Sequence, residues 1–495
     1  MKEPLLEYYD PLYETISFER GLPSKFPVDS DLLDVREIIR CAEFARLAFL
    51  RQVGLAWLVF PSATHSRFAH SIGCWALGRM AESEIKVRVQ GDRRIHSLSK
   101  WLKFMGLREE FYLGLLFHDI GHGPLSHVLE HNEHFIAALK AAGLKEVDHE
   151  HRGTALLEGE NVLAKAWRQI APERYGADIK TLADVRIGMK SELQEVCLPA
   201  ICYFMTSDLN YLAKCNHPHK ASLTVVKELV SGVLDLDRID HYSRDSYFSG
   251  LRQINMNVRG FLSKLYITPP ADPQGEVRIS LTEDGVSFAA NLLFGKVQIL
   301  RTMFRNSKSI ALHAMVNWAL SAYLEYLGDD AVRANTSVKI ALMEDDQFLQ
   351  LITDSQHAGC RYMGQRIRAM RSYLCLGKWQ NDGLPENPSA LREALDSFML
   401  RIGPDGAPAV LMHYDKGFWD SPQDSYDWLN TQRLRVEDSD VALSEHAEYK
   451  NNFEHLRESA RVKYLWVFLR EGTQAQAVEK EISSLLEQNI IKCKS

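Results

Sequence analysis

The segment LGLLFHDIGHGPLSHVLEH (113–131) constrains this chain more than any other. A short apolar run leads straight into His118 and Asp119, and Gly121, Gly123 and Pro124 follow at once. Such a run reads as a buried helix, and the two glycines with the proline end or turn it. Two polar, metal-competent side chains at the end of a buried helix are costly unless something satisfies them. A divalent cation does so, because imidazole nitrogen and carboxylate oxygen together suit first-row metals. Adjacent helical positions diverge by about 100°, which still lets both side chains reach one ion at the helix end. Completing a site takes ligands from elsewhere. The candidates are His70, in THSRFAHSIG (64–73), and Asp237, in LDLDRIDHYSRD (234–245).

The remainder of the chain predicts a mainly α fold. Segments around 35–52, 68–84, 109–119, 122–140, 152–167, 191–212, 222–233, 287–304 and 309–327 carry apolar residues at helical spacing. The stretch PPADPQGEVRISLTEDG (269–285) differs: turn residues bracket an alternating run, which predicts one short β-hairpin inserted in the helical body. Residues 383–427 are rich in proline, with an amphipathic helix expected at 389–403, and another is expected at 478–491. The expected division is a catalytic helical core over 1–330 and a mixed, mostly helical C-terminal region over 331–495, serving oligomerisation or regulation.

Composition sets limits on function. Hydrophobic residues make up 46% and charged residues 25%, an ordinary globular balance that argues against disorder. A net charge of −7 argues against a surface-wide nucleic-acid footprint, while a local basic cleft stays compatible with it. The eight cysteines include no C-x-x-C pair, so a reducing, cytoplasmic setting is expected. The first residues lack the apolar core of a signal peptide, and no stretch approaches the roughly 20 apolar residues that span a bilayer. No membrane partner is expected.

His70, His118-Asp119 and Asp237 in order, H…HD…D, form the defining pattern of the HD superfamily. The flanks RQVGLAWLVFPSATHSRFAHSIG (51–73), HDIGHGPLSH (118–127), HEHRG (149–153) and DLDRIDHYSRD (235–245) closely resemble one branch, the deoxynucleoside triphosphate triphosphohydrolases. That branch includes bacterial dGTP triphosphohydrolases and the vertebrate SAM-and-HD-domain enzyme. YDPLYETI (9–16) and EFARLAFLRQVG (43–54) fit its opening segments, and the likeness covers about residues 8–320. No separate SAM domain is expected ahead of this core.

The resemblance implies that His70, His118, Asp119 and Asp237 hold one divalent ion: manganese, iron, magnesium, nickel or zinc. It makes His122, His127 and His149 neighbours of the α-phosphate, with Glu130 as the acidic partner of one of them. His127 is the expected general acid and His149 the second choice. Arg67, Arg238 and Arg305 match phosphate contacts, although relatives carry Lys at the position of Arg238. Gln52 and Asp245 match residues that bind the sugar 3′-hydroxyl, and Val53 stands where an apolar residue crowds the 2′ position. His241 and His313 replace family tyrosines near the phosphates and the base. A nucleotide effector and assembly into a tetramer or hexamer follow by analogy. Arg40, Ala45 and Ala48 replace acidic and polar residues of the vertebrate activator site, so that contact set is not expected.

The reading is therefore a metal-dependent hydrolase of deoxynucleoside triphosphates. Another HD phosphohydrolase, for nucleoside monophosphates, cyclic nucleotides or guanosine tetraphosphate, shares the ligand set, and a nucleotide-binding sensor is the non-enzymatic alternative. Simpler readings hold elsewhere. Most lone histidines are satisfied core or surface residues, which applies to His131, His134, His219 and His357. CNHPHK (215–220) matches no familiar zinc spacing. Asp235 and Asp240 read as solvated or helix-capping acids.

Overall fold

The computed structural model describes residues 7–18, 35–89, 94–188, 196–232, 234–270, 277–381, 405–415, 434–436, 441–451, 463–480 and 493–494, with Gly275 and Gly403. The expected helix at 389–403 lies outside these residues but for Gly403, as does all but 478–480 of the one at 478–491. The mainly helical expectation is met. The helices that carry the candidate residues start and stop where their caps dictate. Ser66 accepts from Ala69 N (3.3 Å) to begin Arg67–Glu84, and Asp235 accepts from Arg238 N (2.7 Å) to begin Leu236–Phe248. Asp148 caps His149–Glu158, which Gly159 ends at φ 79°. The apolar run forms Arg108–Phe117, with His118 at its C-cap.

Several boundaries differ from expectation, and the segment at 191–212 holds two helices, Leu198–Thr206 and Leu209–Lys214, parted at Ser207. The helix expected over 122–140 begins only at Glu133. Before it, Leu125 (φ 60°) and Ser126 (φ 62°) adopt left-handed backbone and a single 3-10 turn covers Ser126–His131. The Gly123-Pro124 break prevents a helix there. The backbone instead wraps around Asp345, whose carboxylate accepts from Leu125 N (2.7 Å) and Arg51 N (2.9 Å). The segment at 152–167 splits at Gly159 into His149–Glu158 and Val162–Tyr175. The region 35–52 holds two short helices, Arg36–Ile39 and Ala42–Leu47.

The expected hairpin is present as Leu265–Thr268 paired antiparallel with Arg278–Leu281, but it does not stand alone. It forms the middle of a five-stranded sheet ordered Ile95–Ser97, Lys86–Arg88, Leu265–Thr268, Arg278–Leu281, Leu434–Val436. Strands of three or four residues are too short to show an alternation of their own. Glu7–Asp10 and Glu14–Ser17 make a separate N-terminal hairpin. A four-stranded antiparallel sheet joins Cys493–Lys494, Leu374–Asn381, Lys463–Leu469 and Val410–Asp415.

Two hydrophobic clusters form the core. One gathers Trp75, Phe111, Tyr112 and Phe204 with the N-terminal hairpin. The other gathers Trp167, Met315 and Phe348 with Trp466 and Phe468 of the C-terminal sheet, so packing is continuous across residue 330. Each such side chain contributes about 1.5–3 kcal/mol by burial. The loop after His118 crosses between them: Ile120 belongs to the first cluster and Leu125 to the second. Gly121 makes that crossing fit, since a Cβ there would lie 2.1 Å from His149 O and 2.2 Å from Gly153 N. Gly121→Ala should therefore cost about 1–3 kcal/mol, read as a lowered denaturant midpoint; an unchanged midpoint would contradict this packing.

Candidate active site

His70 stands on the second turn of Arg67–Glu84, His118 at the end of Arg108–Phe117, and Asp237 on the first turn of Leu236–Phe248. Their donor atoms converge. His118 Nε2 lies 3.0 Å from His70 Nε2, and Asp237 Oδ1 lies 2.9 Å from His70 Nε2 and 3.6 Å from His118 Nε2. Asp119 places Oδ2 3.7 Å from His70 Nε2 and Oδ1 3.7 Å from His118 Nε2. Ligands bound to one ion at about 2.1 Å stand roughly 3.0–3.7 Å apart, so this donor set fits a divalent metal. Cys74 also lies close, but its Sγ is 3.6 Å from His70 Nδ1 and 3.8 Å from Nε2, beside the ring rather than ahead of Nε2. Burial pushes its thiol pKa well up.

These side chains are held from behind. His118 Nδ1 meets Leu115 O at 2.9 Å, and His70 Nδ1 meets Asp240 Oδ2 at 2.6 Å. Asp240 is fully buried and paired with Arg244, which corrects its reading as a solvated or capping acid; Asp235 does cap the helix, although it too is buried. The carbonyls of the crossing loop are taken by buried arginines. Arg46 donates to His122 O (2.7 Å) and Ile120 O (2.8 Å), and Arg152 donates to Gly121 O (3.1 Å).

A second group lies beside the first. Glu130 accepts from His127 Nδ1 (3.0 Å), His149 Nδ1 (3.1 Å) and Arg152 Nη2 (3.0 Å). The His122 and His149 rings stack at 3.8 Å, and His122 Nε2 lies 3.2 Å from Asp119 Oδ1. Burial opposes charge on His149, but Glu130 overrides it and raises the pKa to about 9. Burial likewise opposes charge on Glu130, yet His149 and His127 hold its carboxyl well below the usual range. His127 is shifted down, by desolvation within its recess first, against the pull of Glu130 and with the help of His149 and Arg67. Its side chain is nonetheless 53% exposed, so it faces the opening of the recess. His122 is pushed well down by burial, then by Arg67 and His149.

The expected substrate contacts divide. Arg67 pairs with Asp119 Oδ2 (2.5 Å) and Ser126 Oγ (2.6 Å), at the edge of the metal quartet. Arg238 folds back onto Gly232 O and Asp235 Oδ2, because it sits one turn above that N-cap. Arg305 has its guanidinium 5.3 Å over the Tyr464 ring of the C-terminal sheet. Asp245 Oδ1 meets His65 Nε2 at 2.7 Å, while its Oδ2, 2.8 Å from His241 Nε2 in an ion-pair contact, has no hydrogen-bond partner. Gln52 and Val53 are buried, and Gln52 Oε1 has no hydrogen-bond partner. Burial, then His413, His131 and His127, lower the His313 pKa to about 3, which places a histidine of the C-terminal strand Val410–Asp415 in this neighbourhood. The cavity of about 850 Å³ lined by Tyr13, Ser243, Arg252, Asn257 and Arg259 lies apart from these residues.

Sequence reasoning missed several of these groups. Asp240 and Arg244 follow Asp237 by three and seven positions on one helix face, and that spacing was a usable signal. Arg46, Arg152, His65 and Asp345 left no local signal, since only remote partners make them structural.

No protein-family model matches the chain. The human deoxynucleoside triphosphate triphosphohydrolase SAMHD1 is 22% identical over 366 residues, 70% of this chain and 53% of that protein. A putative HD domain-containing protein of Acanthamoeba polyphaga mimivirus is 30% identical over 216 residues, 43% of this chain and 39% of its own. The uncharacterised protein YwfO of Bacillus subtilis is 25% identical over 264 residues, 53% and 46%. The chain is related to the HD-superfamily triphosphohydrolases. It spans about half the length of the curated relatives it matches. Among the described residues, no helix is long and apolar enough to cross a membrane.

The pH dependence of the histidine group has a definite sign. The raised pKa of His149 gives stability that is full below its unfolded value of about 6.5 and lost as pH rises through about 9. The depressed pKa of Glu130 gives stability present above its unfolded value of about 4.3 and lost as pH falls through its folded one. In Glu130→Gln, NMR titration should show His149 falling by at least one unit; a His149 pKa unmoved by the substitution would refute the pairing.

Proposed function

We propose that this chain is a metal-dependent phosphohydrolase whose substrates are deoxynucleoside triphosphates, cleaved to deoxynucleoside and inorganic triphosphate. The observation that carries the reading is Asp119. Its carboxylate faces His70 and His118 on one side and His122 on the other, so the metal quartet and the histidine group are one site. The printed activity of the human and other SAMHD1 relatives supports the substrate class.

A bound divalent ion supplies polarisation of a phosphoryl oxygen and activation of the attacking water. The chain's own residues do the rest. In cleavage at the α-phosphorus, water adds its oxygen to phosphorus, the bond to the 5′ oxygen breaks, and that oxygen takes a proton. His127, anchored through Nδ1 on Glu130 and open to the recess, is placed to deliver it. Its lowered pKa makes it a ready donor once the negative charge of a triphosphate favours its protonated form. His149, charged near neutral pH, is suited to hold an α-phosphate oxygen. Arg67 orients Asp119, and Arg238 and Arg305 supply phosphate contacts after leaving their present partners. Recognition of the sugar 3′-hydroxyl falls to Gln52 Oε1 and Asp245 Oδ2, both buried without a hydrogen-bond partner, beside Val53. A cytoplasmic setting, a nucleotide effector and a tetrameric or hexameric assembly belong to the same proposal.

Purified protein with manganese and each deoxynucleoside triphosphate, singly and mixed, should yield deoxynucleoside and triphosphate. Replacement of His118 and Asp119 by Ala should abolish this, and turnover confined to the mixture would identify a nucleotide effector. Release of orthophosphate or pyrophosphate instead would rule out α-phosphorus cleavage. Manganese should also raise the melting temperature of the wild type, by about 2.7 kcal/mol of stabilisation at 100 times its dissociation constant, and leave Asp119→Ala nearly unmoved.

A further inference from the structure

We infer that the N-terminal hairpin Glu7–Ser17 is a working part of the metal centre, with Asp240, Arg244 and Asp10 as positioning residues that present His70 Nε2 to the ion. The inference rests on the metal reading above.

When an imidazole ligates through one nitrogen, the hydrogen bond made by the other sets the tautomer and the ring angle. For His70 that bond is Nδ1 to Asp240 Oδ2, 2.6 Å. Asp240 in turn sits in a two-point fork from Arg244, Nε to Oδ2 and Nη2 to Oδ1, both 2.9 Å. The last member is remote in sequence: Arg244 Nη1 donates to Asp10 Oδ2 at 2.7 Å. All of these side chains are buried or nearly so, where a guanidinium left with one carboxylate fewer is costly and its fork loosens. The space for the fork comes from the His70 helix itself. A Cβ on Gly73 would lie 2.2 Å from Arg244 Nη2 and 2.5 Å from Asp240 Oδ1.

Asp10 divides its two oxygens between separate tasks. Oδ1 accepts from Leu12 N (2.8 Å) and Tyr13 N (3.1 Å), which closes the hairpin turn, and Oδ2 takes Arg244. Seating of the hairpin therefore completes the chain of contacts behind His70. Linkage makes the effect reciprocal: if seating strengthens metal binding, metal strengthens seating by the same factor.

Asp10→Asn separates the two tasks, since Asn keeps an Oδ1 for the turn and sets an NH2 against the guanidinium. Manganese affinity, measured by the free-ion electron paramagnetic resonance signal of the full chain, should weaken roughly 10–100-fold. Asp10→Glu should recover part of it. In the wild type, amide exchange over residues 7–17 should slow when manganese is added, and in Asp10→Asn this response should shrink. Equal manganese affinity in the wild type and Asp10→Asn would overturn the inference and leave the metal reading standing. Should Asp10→Asn fail to fold, the wild-type exchange decides alone, and exchange over 7–17 indifferent to bound manganese overturns the inference. A wild-type chain that binds neither manganese nor zinc overturns the metal reading and this inference with it.

Discussion

Burial of polar groups against a hydrophobic core is the constraint on which this structure depends. His70, His118, Asp119 and Asp237 come from separate elements and meet at the margin of a cluster built on Trp75, Phe111 and Phe204. Each would be destabilising there without partners. The surrounding fold supplies them. Asp119 has Arg67 and His122, His118 has the Leu115 carbonyl, and His70 has Asp240. The loop that follows is fixed by Arg46 and Arg152 through its carbonyls and by Asp345 through an amide. Once all these are in place, the donor atoms of His70, His118 and Asp237 still face one another, an arrangement that fits a divalent cation.

The same economy shapes the neighbouring histidines. One carboxylate, Glu130, accepts from two imidazoles and from Arg152, yet the imidazoles differ. His149 takes the charge because Glu130 overrides its burial, while His127 is held back by desolvation against the pull of the same carboxylate. A chemical difference between two like residues thus arises from position alone.

Legibility from sequence followed how local each cause was. The apolar run before His118 and the glycines after it are local, and they predict the buried helix and its sharp end. The helical character of the chain is likewise a periodic, local signal. The break at Leu125–Ser126, by contrast, was misread as helix because its backbone is held by Asp345, a residue 220 positions away. The short strands Lys86–Arg88 and Leu434–Val436 are invisible alone, since pairing rather than pattern makes them strands. Asp240 was taken as an ordinary acid although its spacing from Asp237 placed it on the same face.

By itself, then, the sequence determined the helical class, the helix that ends in His118-Asp119 and the identity of candidate ligands, because helix periodicity, breakers and donor chemistry act within a few residues. The tertiary structure alone decided which oxygens and nitrogens converge, that Asp245 lies between two histidines, that Arg238 turns away, and that Asp10 stands behind His70. Those outcomes depend on distances and burial between segments far apart in the chain. No local pattern encodes them, since the strength of a charge or hydrogen bond is set by the dielectric and the partners that folding brings to it.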